Sequence, residues 1–88
     1  MPTRYRAVAT VPAPADHIRA RTRARTRGLA TRVRPVDERT CRVDASDDSL
    51  PRIARTLAWL DTDYTLDADP EVLDHLRATA HRTLRATG

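Results

Sequence analysis

Seven arginines, Arg19, Arg21, Arg23, Arg25, Arg27, Arg32 and Arg34, fall within residues 17–36 without an acid among them. Guanidinium groups recognise phosphate through paired, charge-assisted hydrogen bonds, so this stretch could bind nucleic-acid phosphate or a nucleotide effector. At helical spacing Arg19, Arg23 and Arg27 share one side while Arg21 and Arg25 share another. The charge is therefore spread rather than focused, which suits a solvated face or an acidic partner as well. Base stacking of the RNA-recognition type needs aromatics on the outward positions of the central strands. Those positions hold Arg6, Val8, Thr10, Arg42 and Asp44, which disfavours that mode.

Other constellations carry less. His75 and His81 are six apart and face different sides of their helix, and with His17 they make no metal set. The acids Asp61, Asp63, Asp67, Asp69 and Glu71 lack the loop glycine and ligand order of a calcium-binding EF-hand. Cys41 alternates with Arg42 and reads as a small core residue. Trp59 lies about 180° from Leu50 around its helix, at ~100° per residue, pointing away from the apolar stripe. Arg55, one turn earlier, could lie over the indole ring. Trp59, Arg55 and Arg52 are therefore the candidate interface residues, with cover of Trp59 by the third helix of the same chain as the alternative.

Absences narrow the chemistry further. Acylphosphatase-like catalysis uses an Asn, and the chain has none; metallochaperone and iron-sulfur chemistry needs at least two Cys, and there is one. No Ser, His and acid grouping has a nucleophile-elbow context. A non-enzyme without a cofactor is expected.

The elements that must position these residues follow from periodicity. Tyr5, Ala7, Ala9 and Val11 alternate with polar neighbours as a first strand, ended by Pro12 and Pro14. A helix opens at Pro14-Ala15 or Asp16 and runs through Ile18 to about Arg25, with Gly28 as its stop. Leu29 to Val36 reads as a second strand, joined by the turn Asp37-Glu38-Arg39-Thr40 to a third with Cys41, Val43 and Ala45 on one face. Leu50, Ile53, Ala54, Leu57 and Ala58 form the stripe of a second helix, capped near Ser49 and running to Leu60. Tyr64, Leu66 and Ala68 alternate as a fourth strand. Asp69-Pro70-Glu71 starts a third helix with a capping acid and Pro at its first position, its buried stripe being Leu73, Leu76, Ala80 and Leu84.

The order β-α-β-β-α-β is the split βαβ of an α+β, ferredoxin-like fold, an antiparallel sheet with helices on one face, here with an added C-terminal helix. Eighty-eight residues make a single domain, 1–88, near the size where stability is marginal. Large apolar side chains are few, with no Phe, one Trp and two Tyr, so a partner would help complete the core. Residues 1–36 hold nine Arg against one acid, and 37–76 hold eleven acids against four Arg. That asymmetry suits a head-to-tail contact as well as an anionic partner. A lone cysteine, no signal-peptide pattern and no apolar run approaching ~18 residues imply a cytoplasmic chain with no membrane contact.

Pro35-Val36-Asp37-Glu38, Thr40-Cys41-Arg42-Val43, Asp48-Ser49-Leu50, Leu57-Ala58-Trp59-Leu60, Asp63-Tyr64-Thr65-Leu66 and Pro70 through Arg77 together resemble the WCX domain. This is the C-terminal extension of actinobacterial WYL-domain transcriptional regulators, and the likeness spans about residues 5–85. It departs from the family at Asp61, where Gly is usual, and in the arginine-rich first helix. In such regulators a winged helix binds DNA, the WYL domain senses a ligand, and the WCX module helps dimerise and transmit the signal. The resemblance thus implies an interaction, dimerisation and effector-sensing module in transcriptional regulation that lacks its own DNA reader. It would act as a homodimer or by docking onto a WYL-bearing subunit. Direct binding of single-stranded nucleic acid or a nucleotide through 17–36 is the alternative.

Overall fold

In a computed structural model, residues 4–23 and 32–88 are described, except for the side chains of Thr22 and Arg23. Seven elements follow in order: β1 (Ala7–Val11), α1 (Ala15–Arg23), β2 (Val33–Asp37), β3 (Thr40–Asp44), α2 (Leu50–Ala58), β4 (Thr65–Ala68) and α3 (Pro70–Ala86). The four strands form one antiparallel sheet in the order β2-β3-β1-β4. This is the ferredoxin-like βαββαβ arrangement with a third, C-terminal helix. The predicted segment 29–31 of the second strand lies outside the described residues.

Alternation sorts each strand into two faces. Ala7, Ala9 and Val11 of β1 and Cys41 and Val43 of β3 are fully buried, and Ala45 extends the row. Ile18 of α1 and Ile53 and Leu57 of α2 join them in one core cluster, so both helices cover the same face of the sheet. The small side chains of β1 suit a central strand onto which helices pack closely. β2 is an edge strand, which is why Pro35 is tolerated there without losing a ladder bond on both sides. A register shift between Pro35 and Asp37 leaves Val36 49% exposed, and such an irregularity blunts the edge against pairing with another chain.

The end of α2 differs from expectation. The helix stops at Ala58, one turn-forming pair earlier than predicted, because Leu60 N–H bonds the Leu57 carbonyl and Asp61 N–H that of Ala58. This tightening swings Leu60 fully into the core and leaves Ala58 exposed. It also drives Asp61 into the left-handed region at φ 50°, where a Cβ collides with the following carbonyl and glycine is preferred.

The start of α3 differs too. Asp69 is the N-cap residue, but its side chain makes no capping bond; its Oδ2 accepts from the Arg6 backbone N–H at 2.8 Å. Side chains satisfy the neighbouring donors along the same strand: Arg4 N–H bonds Asp48 Oδ1 at 2.7 Å and Ala7 N–H bonds Ser46 Oγ at 3.0 Å. Tyr5 and Asp47 exchange both backbone bonds between them. The N-terminal end of β1 is thus tied to the starts of α2 and α3 by their loop acids and serine. Ser49 caps α2 as predicted, accepting from Arg52 N–H.

The predicted buried stripe of α3 is only partly realised. Val72, outside that stripe, is the helix's buried residue; Leu73 and Leu76 are half-buried, and Ala80 and Leu84 are exposed, Leu84 by 66%. Periodicity gave the helix an apolar face, but its own chain covers only the first two turns.

Asp61→Gly is expected to raise stability by about 0.5–1 kcal/mol, because it relieves the left-handed Cβ contact while leaving the Asp61 carbonyl in place. Thermal and urea denaturation read the change; a destabilised variant would show that the Asp61 side chain has a role of its own. Leu57→Ala should cost ~2–5 kcal/mol and unfold much of the population at ambient temperature, visible as lost circular dichroism.

Candidate functional site

The arginine-rich front divides by what each side chain touches. Arg19, on α1, donates through Nη2 to the Val33 carbonyl at 2.8 Å, while Nη1 pairs with Asp16 at 3.2 Å. Arg21 donates through Nη1 to the Leu60 carbonyl and, at 3.4 Å, to that of Asp61; its Nη2 reaches His17 Nε2 at 3.0 Å. Arg32 donates to the Ser46 carbonyl at 3.1 Å. Arg25, Arg27 and the Arg23 side chain lie outside the described residues.

The Arg21 contact has a clear physical basis. Carbonyls at and beyond a helix C-terminus have no intrahelical donor, and the helix dipole favours a cation there. The tight turn after α2 presents the Leu60 and Asp61 carbonyls together, and Arg21 supplies the charge. Three arginines read from sequence as anion ligands thus fasten α1 and the strand after it to the backbone of the rest of the fold. No local pattern could reveal this, since the Arg21 acceptors lie about forty residues away.

The expected interface residues are placed as follows. Trp59 is half-buried within the single chain. Arg55 does not lie over its ring; the guanidinium–ring contact among the described residues is Arg4 over Tyr5, 5.9 Å from the centroid. Trp59 nonetheless keeps helical geometry, its N–H bonding the Arg55 carbonyl at 3.1 Å. Arg52 is exposed and 3.8 Å from Asp47 Oδ1.

The open face of the sheet carries the remaining charges in two rows across the strands. In one, Asp44 faces Val8, which faces Asp67. Arg6 pairs with Asp67 at 2.8 Å, and its hydrogen bond and charge hold the Asp67 carboxyl below its ordinary pKa. Burial pushes the Asp44 carboxyl up, but bonds from Ser46 and the charges of Arg32 and Arg6 outweigh it and leave it lowered. In the other row, Arg34 faces Arg42, Arg42 faces Thr10, and Thr10 faces Thr65. Beside this row is a shallow depression of about 250 Å³, lined by Thr10, Pro12, Thr40, Asp63, Tyr64 and Thr65. Arg42 falls outside the acid-free window 17–36 that defines the predicted basic set; strand register brings it to Arg34.

Among the described residues no three His, Cys, Asp or Glu side chains converge as metal ligands would. Cys41 is fully buried, and desolvation pushes its thiol pKa up against the opposing charge of Arg19. Among the described residues no helix is long and apolar enough to cross a membrane.

Fold and geometry together define a ferredoxin-like α+β domain with a charged open sheet face. Compared with known proteins, the chain matches no family model, no curated protein and no solved structure.

Arg21→Ala should destabilise the fold by about 1–2 kcal/mol, since it leaves a helix C-terminus without its charged donor, whereas Arg34→Ala should be neutral or slightly stabilising. Equal effects in denaturation curves would contradict the division drawn between them. The lowered pKa values of Asp44 and Asp67 make their contribution fully present above the ordinary carboxylate range. It is lost as pH falls through their folded values, below about pH 4. Melting temperature should therefore drop on acidification below that point, and Arg6→Ala should flatten the drop. An unchanged acid limb in that variant would remove Arg6 as its cause.

Proposed function

We propose that the chain is a non-enzymatic interaction and effector-sensing module of the kind that its resemblance to the WCX domain of WYL transcriptional regulators implies. In this reading it works in the cytoplasm by self-association, and its dimer passes an effector signal to a regulator's DNA-binding part.

The observation that carries the reading is α3. It has seventeen residues, of which only Val72 is buried, and from Arg77 to its end only Thr79 is as much as half-buried. A helical segment left in water without tertiary packing is marginal, so the distal half gains from a partner. Leu76, Ala80 and Leu84 continue one stripe along it. Its first two turns carry Glu71 and Asp74, and the helix from Arg77 onward carries Arg77, Arg82 and Arg85 and no acid. Two copies of α3 laid antiparallel would join their stripes and set each acidic start beside the partner's basic end, the self-complementary contact of a two-fold dimer. Docking onto a WYL-bearing subunit would use the same stripe.

The alternative, nucleic-acid binding through 17–36, has less support, because Arg19, Arg21 and Arg32 already donate to backbone carbonyls. Size-exclusion chromatography with light scattering tests the proposal. The expected result is a concentration-dependent dimer that Leu84→Arg converts to a folded monomer with unchanged circular dichroism. A monomer at every concentration, which also ignores WYL-domain proteins, would defeat it.

A further inference from the structure

Setting two guanidinium groups directly opposite each other on neighbouring strands costs stability, because like charges in cross-strand register repel. Arg34 and Arg42 are so placed on β2 and β3, both exposed, and among the described residues neither has an ion-pair partner. Elsewhere on the same face the fold neutralises its charges: Arg6 pairs with Asp67, and Arg32 and Arg6 act on Asp44. The Arg34–Arg42 pair therefore contributes nothing evident to folding, and an oxyanion bridging the two would turn their repulsion into two charge-assisted contacts.

What lies next to the pair narrows the ligand. Arg42 stands opposite Thr10, and Thr40 is its same-face neighbour two residues earlier on β3; both threonines line the depression. Pro12 and Tyr64 give that depression a mainly apolar lining, with Thr10 and Thr40 on the side next to Arg42 and Thr65 on the far side of Thr10. Burial pushes the Tyr64 phenol pKa up, so it remains a hydrogen-bond donor. A volume of about 250 Å³ lies below the ~300–1,000 Å³ usual for drug-sized ligands and suits a single ring or a short aliphatic body.

We propose that the Arg34–Arg42 row and the adjoining Tyr64–Pro12 depression form a binding site for a small amphipathic oxyanion, a carboxylate or phosphate ester carrying one ring or a short apolar chain. The two guanidiniums hold the anionic head, Thr10 is next to Arg42 in the same row, and Thr65 lies beyond Thr10 beside the body. The depression takes the apolar body. Asp63, at the lining, favours a body that bears a hydrogen-bond donor at its far end. This deepens the sensing half of the proposed function by naming an effector class and its site. It is independent of the α3 contact, because light scattering reads association while ligand titration reads this site.

The test is an amide-resonance NMR titration of the full chain with phenyl phosphate and with phenylacetate, alongside inorganic phosphate as the head alone. Saturable shifts centred on Thr10, Arg42, Tyr64 and Thr65 are expected with one or both aryl anions, with inorganic phosphate binding more weakly. The stronger of the two identifies the head group. Arg34→Ala and Arg42→Ala should each weaken binding about tenfold. Each variant should melt no lower than the parent, since each removes a like-charge contact. Absence of saturable shifts, shifts centred elsewhere, or binding indifferent to both substitutions would overturn the site. Equal affinity for inorganic phosphate would reduce it to a patch of charge and also overturn it. Tighter binding of a short single-stranded DNA through the same two arginines would replace it with the nucleic-acid reading.

Discussion

Arg21 of α1, donating to the carbonyls that follow α2, is the contact that joins α1 to the rest of the helical layer. Among its described side chains α1 brings only Ala15 and Ile18 to the core, little apolar surface for a nine-residue helix. Its two guanidinium anchors, Arg19 on the Val33 carbonyl and Arg21 on the end of α2, make up the difference. They also answer a requirement of the backbone, since carbonyls turned away from the helix ladder need donors. In a chain without lysine, the planar fork of Arg21 reaches the carbonyls through Nη1 and His17 through Nη2.

The sheet shows the same reliance on polar ties where side chains are small. β1, with two alanines facing the core, is central in the sheet, and its leading N–H groups are received by Asp48, Asp47, Asp69 and Ser46. Loop acids and a serine from the middle of the sequence thus satisfy the backbone of the basic front, while Arg6 with Asp67 is the ion pair seen between the two regions among the described residues. Two charged features stand apart from these ties: the Arg34–Arg42 pair on the open face and the acidic start and basic end of α3. Those two places are where the molecule has most to gain from something outside itself.

Strand order and helix placement were legible because alternation and 3.6-residue spacing report which side chains face inward, and Ala7, Ala9, Val11, Cys41, Val43, Ile53 and Leu57 obey them. Periodicity failed where it could not know what lay opposite. Leu84 fits the stripe of α3 yet is 66% exposed, and Leu60 lies past the end of α2 yet is buried by the turn through Asp61. The roles of Asp69, Arg21 and Arg32 were hidden because their partners are backbone groups distant in sequence, which carry no residue signature. Arg34 and Arg42 were seen separately; only strand register pairs them. The WCX resemblance rests on core and turn residues, so it speaks to architecture more than to any ligand.

The central claim is that arginine-to-carbonyl anchoring makes α1 part of the same cooperative unit as the sheet, and native-state hydrogen exchange tests it most directly. The account predicts that the amides of Ile18 to Arg21 exchange with the same opening free energy as those of Ala9 and Val43, and that Arg19→Ala with Arg21→Ala frees α1 while the sheet stays protected. Exchange of α1 near unfolded rates in the unaltered chain, beside a protected sheet, would contradict it.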